Sequence, residues 1–124
     1  MLDHISLGTH YYSKSVVFYQ RVLAPLGIEL VRDTGKEAAF GTLLQWSFFL
    51  YPIAVTEKIT ALGTHVALSA KSRDIVTAIH GVALTESAKD IFTPRLRPDI
   101  SDTYFGAMFH DLDGHRIEVL TNSL

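Results

Sequence analysis

Hydrophobic and polar residues follow two different periods along this chain, and the periods predict its elements. In the first half, a period of two indicates strands at residues 2–8 and in "IELVRD", "EAAFG" and "WSFFLYPI". Between the first two of these, residues 13–24 place apolar side chains at helical spacing, with Ser13 as the expected N-cap. Pro25 and Gly27 then end the helix. The first half is therefore predicted to run strand, helix, three strands.

The second half repeats this order. "THVALSA" predicts a strand, "RDIVTAIHGVAL" a helix, "TPRLRPDI" an irregular section, and "DTYFGAMF" and "HRIEVLT" two strands joined by the Asp-Gly turn of "DLDGH". A shift of 61 positions lays "HISL" at 4–7 over "HVAL" at 65–68. Allowing for a loop insertion, Phe40-Gly41 corresponds to Phe105-Gly106, and residues 48–50 correspond to residues 117–119.

Strand alternation also sorts the side chains into two faces. The apolar face, which is expected to lie under the helices, carries Ile5, Leu7, Phe48, Leu50, Val66, Leu68, Ile117 and Val119. The opposite face carries His4, Ser6, Ser47, Phe49, Tyr51, His65, Ala67, Arg116 and Glu118. A continuous sheet curved around this second face would bring His4, His65 and Glu118 together.

Composition limits what such a cluster could do. The 124 residues contain 11 basic and 13 acidic side chains without a basic block, so nucleic acid is not an expected partner. No apolar run reaches the length of a spanning helix and no leader is evident, which predicts a cytoplasmic protein without a membrane partner. Because cysteine is absent, any metal must be held by imidazole, carboxylate or water.

Two histidines and a carboxylate can hold zinc with an open position, and they also match the facial triad of iron(II) oxygenases. The alternative is that His4 and His65 are hydrogen-bonded structural residues and that Glu118 is a solvated strand residue paired with Arg116 or a neighbour. The remaining histidines fall in predicted loops, helix or turn and are expected at the surface or in caps: His10, His80, His110 and His115.

Four segments together resemble the vicinal oxygen chelate superfamily, which includes glyoxalases, bleomycin-resistance proteins and extradiol dioxygenases. They are "LDHISLG", "SKSVVFYQRVLAPLG", "GTHVAL" and "FHDLDGHRIEVL", and the resemblance covers essentially the whole chain. It implies an α+β domain of residues 1–124 built from two βαβββ modules, about 1–56 and 63–124. The modules would form a curved mixed sheet with the helices on its outer face.

The resemblance also implies a divalent metal ion, such as Zn, Ni, Fe(II) or Mn, ligated from the first and last strands of each module. His4, His65 and Glu118 fall on three of those positions. The fourth falls on Phe49 by the internal repeat, or on Tyr51 if the register slips by two. An aromatic residue there removes the carboxylate that glyoxalase-like members would use for proton transfer.

Two functions follow from this resemblance. The first is a metal-dependent enzyme that chelates adjacent oxygens of a small organic substrate; the alternative is a metal-free protein that binds a drug or antibiotic, as bleomycin-resistance proteins do. The expected pocket residues are Ser6, Trp46, Phe49, Tyr51 and Tyr104. Arg95 and Arg97 either are solvated or anchor an anionic group at its mouth. The resemblance further implies a homodimer.

Overall fold

The computed structural model describes all 124 residues and shows an α+β protein with eight strands and two helices. The elements of the first half are β1 (Ile5–Thr9), α1 (Tyr12–Leu23), β2 (Glu29–Asp33), β3 (Ala38–Gly41) and β4 (Trp46–Pro52). Those of the second half are β5 (His65–Ser69), α2 (Arg73–Thr85), β6 (Lys89–Leu96), β7 (Phe105–His110) and β8 (Arg116–Thr121). Neither helix is long and apolar enough to cross a membrane.

Each half is a compact unit with its own sheet, Met1–Thr60 and Ala61–Leu124. The strand order is β1-β4-β3-β2 in the first unit and β5-β8-β7-β6 in the second. In both sheets the first and last strands of the unit are parallel neighbours, and the other pairs are antiparallel. The predicted α+β class and the two βαβββ modules are therefore confirmed, whereas their assignment to one domain stays a prediction.

Aromatic packing holds α1 against its sheet. Phe18 and Tyr19 are fully buried, and the Tyr19 ring lies 4.6 Å from the ring of Phe48 on β4. Phe40 on β3 completes the cluster at 5.9 Å from Phe48. Since Phe48 and Leu50 face the helix, alternation turns Phe49 and Tyr51 to the opposite side, which we call the helix-free face of the first sheet.

Helix α2 covers the second sheet in the same way. The Ser72 side chain caps the helix by accepting a hydrogen bond from Ile75 N at 3.2 Å. The residues that fill the space between α2 and the sheet are fully buried: Val76, Ile79, Ala83, Phe109, Ile117 and Val119. Ile117 and Val119 face α2, so Glu118 between them lies on the helix-free face of the second sheet.

The expectation that His80 lies at the surface or in a cap is wrong. Its side chain on α2 is buried, and its Nε2 lies 2.7 Å from Asp90 Oδ1 on β6. The carboxylate of Asp90 satisfies the ring nitrogen, which removes the cost of burying it unpaired.

Two other local expectations are wrong. Helix α1 begins at Tyr12, so Ser13 lies inside its first turn and is not the N-cap; the hydroxyl of Thr9 instead accepts from Tyr11 N at 3.0 Å. Strand β6 extends to Leu96 and so includes the first four residues of the section that was expected to be irregular, whereas residues 97–100 form a turn. It is an edge strand whose register shifts between Phe92 and Arg95, and this irregularity accommodates Pro94.

Strand pairing settles the register of the internal repeat. Ser6 pairs with Phe49 in the first sheet, and Ala67, which is 61 positions after Ser6, pairs with Glu118 in the second. Phe49 is therefore the counterpart of Glu118, and Tyr51 is not. The correspondence of Phe40 with Phe105 is wrong, because Phe40 pairs with Phe48 just as Phe109 pairs with Ile117.

Candidate metal centre

Glu118 is a buried carboxylate on the helix-free face of the second sheet. It is 5% exposed and lies between Ala67 on β5 and Met108 on β7. A buried carboxylate without partners would destabilise the fold, so the groups that contact Glu118 show how its charge is stabilised. Tyr104 Oη donates a hydrogen bond to Oε2 at 2.7 Å, and His65 Nε2 lies 3.3 Å from Oε1. Each carboxylate oxygen therefore has its own partner.

The distance between His65 and Glu118 suits a shared metal ion. At 3.3 Å, the Nε2 and Oε1 atoms are farther apart than in an ordinary hydrogen bond. Two ligand atoms about 2.1 Å from one zinc ion at the tetrahedral angle lie about 3.4 Å apart. The imidazole is also reachable, because the His65 side chain is 45% exposed. Donor type and spacing thus fit a divalent cation.

Tyr104 reaches Glu118 from the segment just before β7. Its ring lies beside Gly106, where an added Cβ would be in ordinary van der Waals contact with Tyr104 Cε1 at 3.4 Å. Burial, and then the hydrogen bond to Glu118 and the charge of that carboxylate, raise the pKa of Tyr104 to about 12, against an opposing effect of Arg97. The phenol therefore remains protonated and donating throughout the neutral range.

His4 lies directly before β1 in the first unit. Its Nδ1 is 2.6 Å from Asp3 Oδ1, so Nδ1 is the donor and Nε2 carries the free lone pair in the neutral ring. A carboxylate behind a histidine is the common arrangement for a metal-ligating imidazole. Sequence reasoning missed this contact of Asp3, because both residues lie before β1, where no strand period fixes the side-chain directions.

The two units place unlike side chains at equivalent positions. In the second unit, His65 adjoins the carboxylate of Glu118; in the first, the His4 ring lies 5.0 Å from the ring of Phe49 in an edge-on contact. The structure thus brings His65, Glu118 and Tyr104 together, and His4 and Phe49 together. The predicted three-ligand set of His4, His65 and Glu118 draws on both units and stays a prediction.

Three of the expected pocket residues share the helix-free face of the first sheet. Ser6 pairs with Phe49, and the rings of Phe49 and Tyr51 stack with 6.4 Å between their centroids. Burial raises the pKa of Tyr51, and the charge and hydrogen bond of Glu37 raise it further, while a hydrogen bond with Ser6 lowers it. Trp46 lies at the start of β4, where the register shifts, and is 38% exposed. The pocket as a set stays a prediction.

The two arginines of "TPRLRPD" have different surroundings. Both guanidinium groups contact the ring of Phe92, at 4.6 Å for Arg95 and 5.1 Å for Arg97. Arg97 also makes a two-point ion pair with Asp99, at 2.9 and 2.7 Å. That hydrogen-bonded pair holds the pKa of Asp99 below its usual range and raises the pKa of Arg97. The guanidinium of Arg97 is therefore already ion-paired with Asp99.

A second group of possible ligands was missed in the turn between β7 and β8. Carboxylate or imidazole atoms of Asp111, Asp113 and His115 lie within 4.8 Å of one another. Asp111 Oδ1 accepts from the backbone N–H groups of Asp113 and His115, at 3.0 and 2.9 Å. These bonds are those of a carboxylate that stabilises a turn. The group is a useful control when metal binding is measured.

Comparison with known proteins identifies the fold. No family model and no curated protein matches this sequence. Among solved structures, a glyoxalase/bleomycin resistance protein from Albidiferax ferrireducens T118 is similar with a TM-score of 0.83 and 20% identity, covering 96% of this chain and 97% of its own. The fosfomycin resistance protein FosX from Listeria monocytogenes is similar with a TM-score of 0.72 and 20% identity, covering 100% and 94%.

A variant of the Listeria protein was solved with Mn(II) and 1S,2S-dihydroxypropylphosphonic acid; its TM-score is 0.70 at 19% identity, covering 96% of this chain and 87% of that one. At this level of identity the likeness shows the fold. The chain therefore has the fold of these proteins, and the expected resemblance is confirmed at the level of the fold.

Proposed function

We propose that this chain, which has the vicinal oxygen chelate fold, binds one divalent metal ion through His4, His65 and Glu118 and acts on a small organic substrate. The observation that carries the proposal is the buried Glu118, whose Oε1 lies 3.3 Å from His65 Nε2. An exposed imidazole beside a buried carboxylate is a donor pair that suits zinc, manganese or iron(II). The bound Mn(II) of the structurally similar Listeria protein supports the same class of site.

The residues around the proposed ion have distinct roles. When bound, a divalent ion supplies a Lewis acid that polarises adjacent oxygens of a substrate. Asp3 fixes the tautomer of His4 so that Nε2 is the ligand atom. Phe49 offers no donor atom at the position equivalent to Glu118, which leaves room for substrate or water on the ion. The stacked rings of Phe49 and Tyr51 provide an apolar wall.

Isothermal titration calorimetry with Mn(II) and Zn(II) tests this proposal. We expect one site per chain, and we expect His65→Ala and Glu118→Gln each to weaken binding at least about tenfold, since each removes a ligand. Asp113→Asn is the matched control, because it removes a carboxylate from the Asp111, Asp113 and His115 group. If His65→Ala and Glu118→Gln bind like the wild type while Asp113→Asn does not, the ion belongs in the turn and the proposed site is wrong.

The alternative function is metal-free binding of a small, partly aromatic molecule. The stacked Phe49 and Tyr51 favour it, because two parallel rings on one sheet face are suited to an aromatic ligand. Under this alternative, the wild type binds no divalent ion in the titration. Phe49→Ala would then weaken ligand binding, whereas Glu118→Gln would leave it unchanged.

A further inference from the structure

We propose that Tyr104 is a positioning residue that makes Glu118 a one-oxygen metal ligand. This inference rests on the proposed function, because it concerns how Glu118 would present itself to the ion. The two carboxylate oxygens have unequal partners. Oε2 accepts the Tyr104 hydroxyl at 2.7 Å, whereas Oε1 lies 3.3 Å from the imidazole of His65.

The hydrogen bond from Tyr104 determines which oxygen of Glu118 is available to a metal ion. A hydrogen bond of 2.7 Å from a phenol to a carboxylate is short and charge-assisted. Oε2 therefore has one lone pair engaged, and the plane of the carboxylate is fixed by the direction of the bond. Oε1 is left on the side of His65 Nε2, where its distance from that nitrogen is that of two ligands on one ion. Binding through Oε1 alone follows from this orientation.

Tyr104 is itself held in place by hydrogen bonds of its backbone. Its carbonyl oxygen accepts from Arg97 N at 2.7 Å, and its own N–H donates to Ser101 O at 3.4 Å. The ring lies beside Gly106, at ordinary van der Waals distance from the position of a Cβ there. Backbone and hydroxyl are thus both anchored before any ion arrives. Such preorganisation lowers the cost of ordering the ligand when the metal binds.

A Glu118 that binds through one oxygen would affect how many positions on the ion stay open. A carboxylate that binds through two oxygens fills two positions on the ion, whereas Oε1 alone fills one. With Oε1 alone as the oxygen of Glu118, an ion held at the proposed site would keep one more position for substrate or water than with both carboxylate oxygens bound. Tyr104 would thereby set the number of open positions without touching the ion.

The variant Tyr104→Phe tests the inference, because it keeps the ring beside Gly106 and removes only the hydroxyl. We expect Mn(II) affinity to fall by about 10- to 100-fold, as is typical when a partner of a metal ligand is lost. We also expect the visible spectrum of the Co(II)-loaded protein to change, because freed Oε2 changes the coordination of the ion. A purely structural hydrogen bond would move the melting temperature and leave that spectrum unchanged.

Tyr12→Phe is the matched control. Tyr12 donates a hydrogen bond to Asp33 Oδ1 at the same 2.7 Å, and its pKa is likewise raised to about 12 by burial and by Asp33, but it lies on α1 of the first unit. It should leave both the Mn(II) affinity and the Co(II) spectrum unchanged. Unchanged or tighter Mn(II) binding by Tyr104→Phe overturns the inference.

A measurement on the wild type decides the case if Tyr104→Phe does not fold. Infrared difference spectra with and without Mn(II), assigned with Glu118→Gln, report how the carboxylate binds. A wide separation of its two stretching bands indicates one-oxygen binding and supports the inference, and a narrow separation contradicts it. Wild-type protein that binds no metal refutes the proposed function and this inference together, whereas normal wild-type binding with an unaffected Tyr104→Phe refutes the inference alone.

Discussion

Phe49 and Glu118 show how one side chain distinguishes two otherwise equivalent positions. Both lie on the last strand of their module, opposite Ser6 and Ala67 respectively, and each adjoins a histidine. Only Glu118 can donate oxygen to a metal. Under the proposed function, position 49 therefore decides the number of protein ligands.

Replacing Phe49 with glutamate should add a fourth ligand. In Phe49→Glu we expect tighter metal binding and an oxygen-richer coordination, together with lower stability, because a charge replaces a ring on an apolar face. Calorimetry and thermal melting measure the two effects. Tyr51→Glu is the control for a register two residues away; if Tyr51→Glu tightens binding and Phe49→Glu does not, the equivalence of Phe49 with Glu118 does not extend to the site.

The tyrosines provide a pH prediction. Tyr12 and Tyr104 each have a pKa raised to about 12 from the ordinary phenol value of 10.0, so their protonated forms favour the folded state. This contribution is complete below the unfolded value and is lost as the pH rises from about 10 to about 12. The wild type should therefore lose stability across that window, and the double variant of Tyr12→Phe and Tyr104→Phe should lose less.

Chemical denaturation at a series of pH values, followed by circular dichroism, measures this loss. Phenolate absorbance checks the assignment, because each single variant should remove one late-titrating phenol from the five tyrosines of the chain. Equal losses of stability in the wild type and the double variant would contradict it.

At the scale of the elements, the hydrophobic periodicity of the sequence predicted the helices and strands that pack against one another. The helices and most strands are as expected because their apolar faces are buried, as with Ile79 on α2 and Ile117 on β8. Strand β6 was missed because Pro94 argues against a strand, and an edge strand with register shifts tolerates it. The prediction of Ser13 as the N-cap of α1 was wrong because the helix begins at Tyr12. The Thr9 hydroxyl accepts from Tyr11 N directly before the helix.

The candidate site was predictable where it depends on strand alternation. His65 and Glu118 share a face because β5 and β8 are parallel neighbours with alternating side chains, and the sequence shows that alternation. The hydrogen bond from Tyr104 was not predictable, because this residue lies outside β7, where no strand period fixes the side-chain direction. The Asp3–His4 contact likewise lies outside a strand, where no period fixes direction.

The cap of α2 gives a stability prediction with a matched control. Ser72→Ala removes the acceptor for Ile75 N and should lower the free energy of unfolding by about 1 kcal/mol. Ser13→Ala, within the first turn of α1 and without a capping bond, should have a much smaller effect. Denaturant unfolding of both variants measures the difference; equal losses would contradict the assignment of the caps.

At the scale of the whole molecule, the proposed homodimer is open to test. Closed two-fold pairs are the commonest assemblies of soluble chains. Leu43 and Leu44, which join β3 to β4, are almost fully exposed, and such adjacent apolar side chains favour association. We expect sedimentation velocity to give a dimer at concentrations of tens of micromolar, about the range in which weak dimers form. A monomer throughout that range would contradict the proposal.

The proposed function has one divalent ion bound by His4, His65 and Glu118. Native mass spectrometry with elemental analysis, on protein purified without chelator and then supplied with Mn(II), tests this binding. We expect one ion per chain in the wild type and in Asp113→Asn, and loss of the ion in His4→Ala, His65→Ala and Glu118→Gln. A wild type that remains metal-free, or an ion retained by all three of the last variants, would contradict it.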